Sequence, residues 1–110
     1  KLIKMKSESK IQEMRIIEQN LQNFLLQKQA FNIELIETQE ACKEIEKSGD
    51  EVFKIIGQLM IKTDKSKIKE ELKNKEKILE LRLKTLEKQE NSLAEKLEKL
   101  RKELTENFKN

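Results

Sequence analysis

The sequence predicts a mostly α protein: a long antiparallel two-helix coiled coil whose helices are joined by a short β-hairpin. Three observations carry that expectation. Charged residues make up 41% of the 110-residue chain and aromatic residues only 4%, with no Pro and two Gly; such a composition belongs to long helices rather than to a compact globule. Apolar residues recur every seven positions in two separate arrays, the period of a coiled-coil seam. Between the arrays the heptad gives way to two short β-branched runs around one glycine, a hairpin signature.

The first helix is expected over about residues 5–48. With Met14 at heptad position a, the a series is Met14, Leu21, Lys28, Leu35 and Cys42, and the d series is Ile17, Phe24, Phe31, Thr38 and Ile45. Eight of these ten are apolar, in a chain that is only 35% apolar. The seam runs from about residue 11 to residue 46. It ends at Ser48-Gly49-Asp50, where Gly49 suits a left-handed C-cap. The second helix is expected over about 65–108. Leu72, Leu79, Leu86, Leu93 and Leu100 form its unbroken d series, and Lys69, Glu76, Leu83, Glu90, Leu97 and Leu104 its a series. Mixed-charge runs such as KEELKNKEK between the seam residues suit solvated flanks. Disorder, the other reading of a charge-rich chain, predicts no such period.

The hairpin is expected over about 51–63, with Gly57 adopting the turn conformation that a Cβ opposes. Asp64 or Ser66 can cap the second helix. One continuous helix containing a glycine is the competing reading; loss of the heptad phase and the caps that flank the insert on both sides argue against it. A connector this short folds the helices back antiparallel, each about 60 Å long for ~40 residues. One hairpin alone is marginal in water, and its open edges lie beside apolar side chains. Association with further subunits therefore follows from the hairpin itself. The whole chain, 1–110, reads as a single domain.

Catalysis finds little to work with. The chain has no His, no constellation for nucleophilic catalysis, no glycine-rich phosphate loop and no metal-ligand spacing. A non-enzymatic protein without a cofactor is expected. Apart from Glu76 and Glu90 the glutamates sit on helix flanks, and Cys42 on an a position reads as a small core residue. A lone cysteine forms no internal disulfide, which favours a reducing, cytoplasmic setting. No apolar run approaches the ~20 residues of a membrane span, and no secretory leader is evident. The net charge of +3 comes from 24 basic and 21 acidic residues that are interleaved, which disfavours nucleic-acid binding. Lys28, Lys69, Glu76 and Glu90 interrupt the seam, either to control register at some loss of stability or to let the helices splay.

The open ends of the helices carry more apolar residues than one seam can bury: Leu2, Ile3, Met5, Ile11, Met14, Ile16 and Ile17 on the first, Leu97, Leu100, Leu104 and Phe108 on the second. Ile16 and Ile17 are adjacent and cannot both face the partner helix. One reading is a frayed end. The other is an adaptable apolar patch that binds non-native chains without sequence preference.

DEVFKIIGQLMIKTDKSKIKEEL (50–72), LELRLKTLEKQENSLAEKLEKLRKEL (79–104) and LQNFLLQKQAFNIELIETQEACKEIE (21–46) together resemble the β-type subunit of prefoldin, in its archaeal form. The hairpin is the most specific part; there Phe53 stands where the family often has Tyr, keeping the ring and losing the hydroxyl. The resemblance implies an ATP-independent chaperone, a hetero-hexamer of α-type and β-type subunits whose hairpins join into a β-barrel platform. It implies that Val52, Phe53, Ile55, Ile56, Gly57, Leu59, Met60 and Ile61 form the oligomerisation hairpin. It also implies that Ile11, Met14, Ile17, Leu97, Leu100, Leu104 and Phe108 contact unfolded clients, and that Lys99, Arg101, Lys102 and Glu103 help to dock on a group II chaperonin. No nucleic acid and no membrane are expected among the partners. The alternative is a structural coiled-coil scaffold that binds one defined native protein.

Overall fold

The computed structural model describes residues 2–109, with side chains described from residue 5 to residue 108. Helix α1 spans Leu2–Lys47, strand β1 Glu51–Ile56, strand β2 Leu59–Asp64 and helix α2 Lys65–Lys109. The strands pair antiparallel from Glu51↔Asp64 to Ile56↔Leu59. Gly57 sits in the two-residue turn with φ of 60°, the left-handed conformation that a Cβ disfavours. Asp64 is the last strand residue and directly precedes the first residue of α2, the N-cap position.

The C-terminus of α1 departs from expectation. Among the described residues Gly57 alone has positive φ, so Gly49 does not make a left-handed cap. Ser48 ends the helix instead. Its backbone N–H donates to the Glu44 carbonyl at 3.0 Å, and its hydroxyl donates to the Ile45 carbonyl at 2.9 Å. Lys65, the first residue of α2, donates its ammonium to the Ser48 carbonyl at 2.7 Å. The last carbonyls of a helix need donors and favour nearby cations; here a hydroxyl and an ammonium satisfy them, which leaves Gly49 free of that duty.

The chain forms two compact units: residues up to Gln29 together with those from Lys84 onward, and Ala30–Leu83, which carries the hairpin. In the first, Ile17, Leu97 and Leu100 are buried, and Met14, Leu21 and Leu93 pack against them. In the second, Leu79 is buried to 2% exposure. Thr38 is buried too, and its hydroxyl donates to the Glu34 carbonyl one turn back at 2.8 Å. Arg82 lies over the Phe31 ring, 5.7 Å from its centre. Every a and d residue read from the heptads is buried or half-buried.

Within each unit the helices run antiparallel, as ion pairs between them record. Lys10 meets Glu103 at 3.3 Å and Lys28 meets Glu90 at 2.9 Å in the first. Glu34 meets Lys75 at 3.3 Å and Glu46 meets Lys69 at 3.0 Å in the second.

Candidate assembly and holding surfaces

Strand alternation puts Val52, Lys54 and Ile56 on one face of the hairpin with their partners Thr63, Ile61 and Leu59. Phe53 and Ile55 lie on the other face with Lys62 and Met60. Only Val52 is buried. Phe53, Ile55, Ile56, Leu59, Met60 and Ile61 are all exposed, Ile55 to 70% and Met60 to 68%. Both faces of this sheet are thus apolar and open, and both strands are edges. Lys54 ties the sheet to α2 through Glu71 at 3.1 Å. An open groove of about 820 Å³ runs beside the hairpin, with Ala41, Ile45, Val52, Phe53, Ile68 and Leu72 in its walls.

Isolated exposed Leu or Ile residues are ordinary on a protein surface, but six on twelve strand residues form a patch. Full burial of each such side chain is worth ~1.5–3 kcal/mol. The patch therefore represents on the order of 10 kcal/mol of gross association energy, comparable with the cost of bringing two chains together.

The residues expected to contact clients divide into two groups. Ile17, Leu97 and Leu100 are consumed by the seam, and Met14 packs against them. Ile11 and Leu104 are half-buried. Phe108 is exposed to 71%, and Met5 and Ile16 are exposed as well. Of the adjacent pair, Ile17 turns inward at 4% exposure and Ile16 outward at 56%. Helix geometry explains the division, since neighbours in sequence lie about 100° apart around the axis. The side chains of Leu2 and Ile3 lie outside the described residues. Lys99, Arg101 and Lys102 are exposed and Glu103 is half-buried. Arg101 pairs with Glu18 at 3.7 Å and Glu103 with Lys10 at 3.3 Å, so part of this charged group is engaged in joining the helices.

Heptad reading singled out seam residues and passed over outward ones. Leu25, Leu26, Ile33 and Ile36 on α1, and Ile78 and Leu81 on α2, are all exposed. Their signal was present in the sequence as aliphatic residues at b, c, e and f positions, where a coiled coil usually carries charge.

The four polar seam residues each find a partner on the other helix. Lys28 pairs with Glu90 and Lys69 with Glu46. Glu76 accepts from Gln39 Nε2 at 3.5 Å and lies 4.0 Å from the Cys42 thiol. The Glu46 carboxyl is held below its ordinary pKa, chiefly by the hydrogen bond from Lys69. All four are thus partnered across the seam, an arrangement that favours register control over splay.

Among the described residues no group of His, Cys, Asp or Glu is arranged to hold a metal ion, and no helix is long and apolar enough to cross a membrane. The Prefoldin_2 family, described as prefoldin subunit, matches residues 8–110. The chain belongs to the prefoldin subunit family. It is similar to prefoldin subunit beta of Thermococcus onnurineus, 48% identical over 85 residues that cover 76% of this chain and 73% of that one. Prefoldin subunit beta of Sulfurisphaera tokodaii is 35% identical over 101 residues, covering 90% and 81%. The crystal structure of the prefoldin beta subunit from Thermococcus strain KS-1 superposes with a TM-score of 0.85 at 38% identity, covering 92% of this chain and 90% of that one. Helix, hairpin and helix are therefore the family's architecture as well as this chain's, and the chain is a chaperone subunit of the prefoldin β type. Prefoldin beta subunits form hetero-oligomers with other prefoldin subunits.

Proposed function

We propose that this chain assembles through its hairpin with α-type subunits and further β-type copies into a hetero-hexamer, holds unfolded polypeptides at the open ends of its helices without ATP, and passes them to a group II chaperonin in the cytoplasm. One observation carries the assembly half: a two-stranded sheet with six exposed apolar residues and two open edges, which strands from neighbouring subunits complete as a barrel. The apolar groove at its base suits the side chains of an adjoining hairpin.

Holding rests on Met5, Ile16 and Phe108, apolar, exposed and partly flexible. Ile11, Met14 and Leu104 support them from the edge of the seam, and Ile17, Leu97 and Leu100 keep the helix ends together. Several weak contacts on separate arms gain from effective concentration and release one at a time, so hand-over needs a competing surface rather than a chemical step. The exposed cations Lys99 and Lys102 are the docking group for the chaperonin.

Native mass spectrometry with and without an α-type subunit, run beside an aggregation assay on a denatured client, tests the reading. A hexamer that suppresses aggregation without ATP is the expected result. A chain that stays monomeric with its α-type partner and leaves aggregation unchanged overturns it.

A further inference from the structure

Surface charge is distributed unevenly over the unit that carries the open helix ends. In a chain that is 41% charged, residues 19–29 of α1 contain a single charge, Lys28, and it lies in the seam with Glu90 at 2.9 Å. Six of the remaining residues are amides, and Leu25 and Leu26 are exposed to 49% and 63%. Helix α2 of the same unit keeps an ordinary solvated flank, with Glu87, Lys88, Glu95 and Lys96 all exposed.

One line of this surface lies farthest from the seam. With Met14 at a, Ile16, Gln19, Asn23 and Leu26 fall at alternating c and f positions, opposite the seam residues Ile17, Leu21, Phe24 and Lys28. Steps of three and four residues make consecutive members neighbours on a helix surface, so the four form a stripe about 15 Å long. All four are exposed. Arg15 and Glu18 border the stripe at the end nearer the helix tips, and Glu18 is engaged with Arg101 at 3.7 Å. Every helical neighbour of Asn23 and Leu26 is uncharged.

The fold does not call for these residues. Asn is a poorer helix former than Lys or Glu, Leu26 lies away from the seam, and the amides of Gln19 and Asn23 have no protein partner among the described residues. A side-chain amide both donates and accepts hydrogen bonds, which matches the peptide groups that an unfolded chain exposes along its length. Exposed aliphatic residues take up its apolar side chains, and a surface without charge does not select by sign.

We propose that this stripe holds an extended segment of unfolded polypeptide along the arm, continuing the tip contact made at Ile16. Gln19 and Asn23 meet the backbone of the segment, and Ile16 and Leu26 meet its apolar side chains. The inference rests on the holding role proposed above for Ile16 and adds a specificity to it: neither sign of client charge is preferred along the stripe.

Fluorescence anisotropy of two otherwise identical unfolded peptides, one rich in Asp and one rich in Lys, tests this on the full-length chain assembled with its α-type partner. Relative to the parent, Gln19→Glu with Asn23→Glu is expected to weaken the acidic peptide about tenfold and to leave the basic one as tight or tighter. Gln19→Lys with Asn23→Lys is expected to reverse that order. Salt at about 1 M, where the Debye length is ~3 Å, is expected to shrink both preferences. Asn91→Glu with Ser92→Glu puts the same charge on exposed positions of α2 and is expected to shift either peptide less than about twofold. All of these sites are exposed, so helix ellipticity and assembled mass stay those of the parent. Stripe variants that bind both peptides as the parent does, or an α2 control with as large an effect, overturn the proposal. A parent assembly that binds neither peptide refutes the holding role itself, which is a separate failure.

Discussion

Replacing Lys28 and Glu90 separately and together asks what a charged layer does inside a leucine seam. The two side chains are 21% and 27% exposed and their charged atoms are 2.9 Å apart. At an effective dielectric near 20 the attraction is about 6 kcal/mol gross. Partial desolvation of both ions and the ordering of two long side chains cancel most of it, leaving ~1–2 kcal/mol net, above a fully exposed pair and below a fully buried one. Lys28→Leu alone therefore costs about 1–2 kcal/mol, because Glu90 stays half-covered without its partner. Glu90→Leu alone behaves alike. The double variant places two leucines in one layer and is expected to be at least as stable as the parent, by ~0–3 kcal/mol. Urea unfolding followed by helix ellipticity, at one fixed protein concentration because assembly shifts the midpoint, measures all four proteins. The double-mutant cycle should return a coupling of at least ~1 kcal/mol. Additive single effects, or a double variant less stable than both singles, would refute the view that the pair fixes register at the expense of stability.

Three further predictions rest on the same structure. Ile17→Ala is expected to cost ~2–5 kcal/mol, since it empties the core with Leu97 and Leu100, while its neighbour Ile16→Ala stays within about 0.5 kcal/mol and weakens aggregation suppression instead; thermal unfolding and a client assay separate the two. The Glu46 carboxyl, lowered by its hydrogen bond from Lys69, stabilises the fold above the ordinary glutamate range, and that contribution fades as pH falls below about 4.5; the gap in midpoint between the parent and Lys69→Gln should narrow on acidification, and a constant gap would exclude the pair as its source. Gly57→Ala meets no atom within 4 Å but must keep φ near 60°, so its cost of ~1–2 kcal/mol is conformational and Gly57→Asn recovers part of it; Gly49→Ala, with open space and no positive φ, is neutral to slightly stabilising.

How much was legible from the residues follows from what a seven-residue period encodes. It states which side of each helix is apolar, and every a and d residue so read is covered in the structure. Adjacent Ile16 and Ile17 fell to opposite sides for the same reason. The hairpin was legible because β-branched runs and a glycine break that period, and Gly57 takes the positive φ expected of it.

A repeat is silent about axial register, since sliding one helix by seven residues reproduces the pattern. Tertiary structure alone therefore decided that Lys28 meets Glu90, that Lys69 meets Glu46 and that Glu76 serves Gln39 and Cys42. It decided the end of α1 as well: Lys65 is 17 residues from Ser48 in sequence, and only the fold brings its ammonium to the Ser48 carbonyl. The apolar positions of this protein are a local property of its sequence; the pairing of its polar ones depends on distances that exist only after the chain has turned at the hairpin.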